Sequence, residues 1–235
     1  MNGYASLASW ILMSLGTSGM LLFVCLNRFR RALPPDGKAG RFFGVSGEPE
    51  LGIRIATSFL LGLGGVIVTG FILLLFRNTN LLRNPVLGPF FEESMKLALL
   101  ALFITPHLSR GLNRVSAVRL RTFAIGFMGI NGMALGIGFG LGEAILYALD
   151  EPRLLLLRGV SSIVLHALTG AIASRYLATR AVSIGCWKCP LVATGLHLLY
   201  NFLVLQTFPL NYLVFFVLLF FAMQILRMFS FQEEY

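Results

Sequence analysis

Glu92, Glu93 and Lys96 stand together in GPFFEESMKLALLALF, residues 88–103, a stretch that otherwise reads as a membrane-spanning helix. Other apolar runs carry isolated polar groups: Glu143 in GFGLGEAILY, His166 in VLHALTGA, and His197 with Asn201 in GLHLLYNF. An ionisable side chain at bilayer depth costs about 2.5–3.5 kcal/mol on insertion scales, so each such residue points to a use. As a set they provide carboxylates able to activate water, imidazoles able to bind a metal or move protons, and an amide able to donate to an oxyanion.

The elements that must position these groups follow from composition. The chain has 235 residues, 57% hydrophobic and 12% charged, with a mean hydropathy of +0.81. Its apolar runs are long enough to cross a bilayer, which takes about 20 residues. They predict an all-α, polytopic membrane protein with about seven transmembrane helices, at residues 5–26, 51–76, 85–106, 122–149, 155–178, 189–206 and 209–229. Residues 1–235 form one integral membrane domain on this reading, with no repeat or second soluble unit. The connection from Asn27 to Glu50, rich in Pro and Gly, is the one loop long enough to form a mobile cytosolic flap.

The first run is followed at once by Arg28, Arg30 and Arg31, the reverse of a signal peptide's charge order, so it reads as a retained helix with its N-terminus outside. Of the 19 Lys and Arg residues, that orientation leaves Arg77, Arg83, Arg153 and Arg158 outside and Lys96 within the membrane, with the rest on the inner side. The formal charge of +9 is thus read as a topology signal rather than a nucleic-acid footprint. Cys186 and Cys189, in CWKC, supply only half of a tetrahedral zinc site and are read as a cytosolic loop pair.

Counting along helices of alternating direction places Glu92, Glu143, His166 and His197 roughly 10–17 Å below the outer surface. Four helices, the third to the sixth, therefore offer polar groups to one layer. On the third, Glu92 and Lys96 are four residues apart and share a face, which predicts an ion pair between them, with Glu93 about 100° away. Phe139, Glu143 and Tyr147 share a face by the same spacing, as do His197 and Asn201. The glycines at 126, 129, 132, 136, 138, 140 and 142 have no preceding strand and are read as close helix packing rather than a phosphate loop.

The order Glu92-Glu93-x-x-Lys96, Phe139-x-x-x-Glu143 with Tyr147, Arg158 then His166, and His197-x-x-x-Asn201 resembles the PrsW-type intramembrane proteases, relatives of the CAAX-prenyl endopeptidases and the bacteriocin-immunity membrane proteins. The resemblance covers about residues 85–205. Ala144 stands where members commonly have Asn, and the aromatic-Asn pair of the last motif is Tyr200-Asn201. The resemblance implies an endopeptidase that cuts a membrane-anchored protein, such as an anti-sigma factor-like regulator, near the outer face of the cell membrane. It leaves two mechanisms open. With zinc, the ligands are Glu143, His166 and His197 and the general base is Glu92, the two-His-plus-carboxylate pattern of catalytic zinc. Without a metal, Glu92 activates water directly while His197 and Asn201 stabilise the oxyanion. In both, Glu93 and Lys96 tune Glu92. Phe139, Tyr147 and Arg158 are supporting residues.

Two other classes also place charges in the membrane. A proton- or cation-coupled transporter needs intramembrane Glu, His and Lys but usually shows repeated halves, absent from this sequence. A non-catalytic scaffold keeping the same fold has no reason to carry groups this costly.

Overall fold

A computed structural model describes residues 3–32, 48–75, 87–106, 117–150, 155–181, 188–206 and 210–229. Among them are seven α-helices and no strand: α1 (Gly3–Ala32), α2 (Glu48–Leu75), α3 (Leu87–Leu99), α4 (Ala117–Asp150), α5 (Leu155–Ala181), α6 (Lys188–Val204) and α7 (Leu213–Phe229). Helices are the expected outcome for such apolar segments, because in lipid each backbone N–H and C=O must be satisfied within its own segment. The connection expected over residues 27–50 is shorter than that, since α1 continues through Ala32 and α2 begins at Glu48. Residues 33–47 and Cys186 lie outside the described residues.

Among the described residues, three stretches are long and apolar enough to cross a membrane: Leu51–Leu75 in α2, Ala124–Leu146 in α4, and Leu210–Arg227, which holds most of α7. They differ in position. The α4 stretch is 89% buried, against 28% for α2 and 17% for α7, so α4 is the central helix and the other two present most of their surface outward. Ile67 and Phe71 on α2 and Phe216 and Leu219 on α7 are among the exposed large side chains, as a lipid-facing surface requires. Together these features make the chain an integral membrane protein.

The central position of α4 is set by its glycines. Gly132, Gly136 and Gly140 repeat every fourth residue and face α5, where an added Cβ would collide with Gly170 O, His166 O and the Ile163 Cα respectively. Gly138 faces α2, where a Cβ would strike Phe59 O, and Gly62 of α2 meets Leu135 O in return. Small residues at such spacing let helix backbones approach closely, the dominant source of association where lipid removes the hydrophobic drive. Buried polar pairs add direction. Ser58 Oγ donates to Asn131 Oδ1 at 2.8 Å, joining α2 to α4, and Ser161 and Tyr200 are hydrogen-bonded at 2.8 Å, joining α5 to α6. Beyond Lys96, α3 widens into a π-helical turn at Leu100–Ile104, an irregularity often found beside functional sites.

Candidate functional site

Four helices bring their polar groups to one cluster. α3 supplies Glu92, Glu93 and Lys96, α4 supplies Phe139 and Glu143, α5 supplies His166, and α6 supplies His197. The α4–α5 approach fixed by Gly136 and Gly140 sets where His166 stands, since Gly136 touches its carbonyl and Gly140 lies against its side chain.

Lys96 is the hub. Its fully buried Nζ donates to Glu93 Oε1 at 2.6 Å and to Thr169 Oγ1 at 3.0 Å, lies 2.6 Å from His166 Nδ1, and sits 5.1 Å from the centre of the Phe139 ring. This corrects the expected Glu92–Lys96 pair: the lysine's partner is Glu93, three residues back. Both spacings bring side chains together on a helix, and burial decides between them. Only 3% of the Glu93 side chain is exposed, against 14% of Glu92. The drier carboxylate is the one that most needs a counter-ion.

Each histidine has one carboxylate in hydrogen-bond reach. His197 Nδ1 lies 2.8 Å from Glu93 Oε1, and His166 Nε2 lies 2.5 Å from Glu143 Oε2. Ser162 Oγ donates to the same Glu143 oxygen at 2.6 Å. The imidazole rings meet edge to face, centres 4.9 Å apart, and Phe139 closes the other side of His166 at 5.3 Å.

Glu92 differs in that neither of its oxygens makes a hydrogen bond among the described residues. Its Oε2 is buried, as is the likewise unpartnered Glu93 Oε2, and lies 3.6 Å from His197 Nε2 and 4.0 Å from His166 Nε2. With Glu143, whose side chain is 15% exposed, it forms the accessible edge of a cluster whose other charged or imidazole members are almost fully enclosed. Three carboxyls face one ammonium here, so two more positive charges, as protons or as one divalent cation, would bring the buried group to neutrality.

The residues that could hold such an ion are Glu92, His166 and His197, each with one ligand atom within 4.8 Å of the others. Ligands of a tetrahedral zinc lie roughly 3.3 Å apart, so these atoms would have to draw together around an ion, and the Glu92 oxygen has no hydrogen-bond partner among the described residues. His197 also has the carboxylate behind its second nitrogen that metal-binding imidazoles usually have. The donor set fits a zinc ion. It differs from the one expected from the sequence by having Glu92 in place of Glu143, whose oxygen is taken by Ser162 and His166.

Of the other expected residues, Asn201 is half-buried one turn beyond His197, and its amide makes no hydrogen bond among the described residues. Tyr147 and Arg158 fall within α4 and α5, but their side chains lie outside what is described. Ser162 and Thr169 were not foreseen. Their positions, four residues before and three after His166, place both on its helix face and would have nominated them.

Comparison with curated proteins and with solved structures gives no match. A family model does match, over residues 51–225, and its description is PrsW family intramembrane metalloprotease. That stretch holds every element of the cluster and most of the sequence, and the chain belongs to the PrsW family of intramembrane proteases.

Proposed function

We propose that this protein is an endopeptidase that hydrolyses a peptide bond of a membrane-anchored protein near the outer face of the cell membrane. Its seven helices would all cross the bilayer, N-terminus outside and C-terminus in the cytoplasm, with an anti-sigma factor-like regulator as the kind of substrate. The observation that carries the proposal is the Glu92 carboxylate, without a hydrogen-bond partner among the described residues and set between two imidazoles at the open edge of an otherwise closed polar cluster.

The 3.6 Å between Glu92 Oε2 and His197 Nε2 is too long for a direct hydrogen bond and suits a bridging water that donates to both. As the water oxygen attacks the scissile carbonyl carbon, Glu92 takes its proton, and it returns that proton to the nitrogen as the C–N bond breaks. Asn201, whose amide makes no hydrogen bond among the described residues, would donate to the oxyanion. Glu93 holds His197 through Nδ1, while Ser162 and His166 hold Glu143. A zinc ion held by Glu92, His166 and His197 would supply Lewis-acid polarisation of the substrate carbonyl. Glu143 is then the carboxylate left to accept the proton, and ligation through His166 Nε2 would replace its bond to Glu143.

Mapping of new protein N-termini in cells with wild-type protein and with Glu92→Gln tests this. The proposal expects wild-type-dependent termini at the outer ends of transmembrane segments, absent in the variant. Identical sets of termini in the two cells would contradict it.

A further inference from the structure

α5 and α6 each carry one of the two imidazoles, and they approach each other differently from α4 and α5. Where α4 meets α5, glycines bring the backbones together, whereas Gly195 of α6 has open space where a side chain would start. The two histidine helices are joined at two levels. The His166 and His197 rings meet edge to face with centres 4.9 Å apart, and Ser161 Oγ lies 2.8 Å from Tyr200 Oη. Position 161 precedes 166 while 200 follows 197, so the helices run antiparallel and the hydroxyl pair forms a second rung beside the imidazoles. Both hydroxyl residues are almost fully enclosed, at 1% and 3% exposure. Either hydroxyl can donate without changing this geometry.

The second rung gains its importance from what already holds each histidine. His166 is set by α4, through Gly136 and Gly140. His197 has a point of attachment on α3, where its Nδ1 lies 2.8 Å from Glu93 Oε1. One such point leaves a helix free to turn about its axis, and the ring swings as the helix turns. Tyr200 lies nearly one turn beyond His197, about 60° around the helix, so its bond to α5 is a second point that fixes the rotation. Asn201 follows directly, about 100° further round, and the same bond thereby sets the face on which this half-buried residue stands.

We infer that Ser161 and Tyr200 are positioning residues whose hydrogen bond fixes the rotation of α6, and with it the interval between His166 and His197 at which both can ligate one zinc ion. Neither belongs to the ligand set, and both act through His197. Without the bond, a hydroxyl is left buried and unpaired between the two helices, which favours any turn of α6 that finds it another partner. The inference rests on the zinc form of the protease reading above, and zinc uptake measures it without a substrate.

The zinc affinity of the purified full chain in detergent, measured by competition with a chromophoric chelator, tests it. Tyr200→Phe and Ser161→Ala should each weaken binding about 10-fold, the lower end of what groups that support a metal ligand cost. The double variant should bind no more weakly than either single one, because both remove the same bond. Ser58→Ala is the matched control. It breaks a buried hydroxyl bond of the same 2.8 Å length between α2 and α4, which carry none of the three ligands, and should bind zinc as wild type does. Circular dichroism checks the helices of each variant, and Phe keeps the ring of Tyr200 in its place. Affinity unchanged in Tyr200→Phe and Ser161→Ala, losses that multiply in the double variant, or an equal loss in Ser58→Ala would overturn the inference and leave the ligand set standing. A wild type that takes up no zinc would overturn both.

Discussion

Glu92 and Glu93 are adjacent in the chain and unlike in the fold. Glu93 is enclosed and hydrogen-bonded to Lys96 and His197, whereas Glu92 faces the open edge and makes no side-chain hydrogen bond among the described residues. Glu92→Gln is therefore expected to lower proteolysis by at least about 10²-fold while leaving the helices intact by circular dichroism, because it removes the acceptor and little packing. A variant that keeps most of its cleavage would move the base elsewhere. Zinc binding, measured by mass spectrometry on purified protein, separates the two ligand sets. Glu92→Gln, His166→Ala and His197→Ala should each abolish it, and Glu93→Gln, which removes the carboxylate behind His197 Nδ1, should weaken it about 10–100-fold. Binding that survives Glu92→Gln and vanishes in Glu143→Gln would favour the set read from the sequence. The residue types and helix faces were legible in the chain, since a charge in an apolar run is conspicuous. The pairing was not. Lys96 can reach either Glu92 or Glu93 by helix spacing, and the choice is made by which carboxylate the neighbouring helices seal from solvent.

At the scale of elements, α4 and α5 form the mount on which the cluster is built, with Gly132, Gly136 and Gly140 pressed against α5. Gly136→Val is expected to cost about 1–3 kcal/mol and to displace His166, because its side chain would occupy the space of the His166 carbonyl. Gly64, which an added Cβ would leave free of contacts, is the control: Gly64→Ala should leave stability and activity near wild type. Thermal unfolding in detergent compares the two, and equal midpoints would contradict the packing role given to Gly136. That the glycines serve helix contact was readable from their small-residue spacing and the lack of a preceding strand. Which glycine meets which partner was not, because that depends on the rotation of each helix about its axis. The same rotation decides that Ser162 and Thr169 join the cluster.

At the scale of the whole molecule, a buried central helix, with α2 packed on it and α2 and α7 facing outward, is the arrangement a lipid solvent favours. Ile67, on the exposed side of α2, is expected to resist charge: Ile67→Lys should cost about 2.5–3.5 kcal/mol and reduce the amount of protein inserted, read by membrane fractionation. Normal insertion of that variant would take Ile67 out of the membrane. The all-helical class was legible because long apolar runs have few structural outcomes in a bilayer. The central claim is that four helices assemble one hydrolytic site on Glu92. The most direct measurement is mass spectrometry of a panel of single-pass membrane proteins incubated in vesicles with purified wild-type protein or Glu92→Gln. Cleavage near the outer membrane boundary by the wild type, lost in the variant, is the expected result. Cleavage of equal extent by both, or at sites within cytosolic segments, would contradict it.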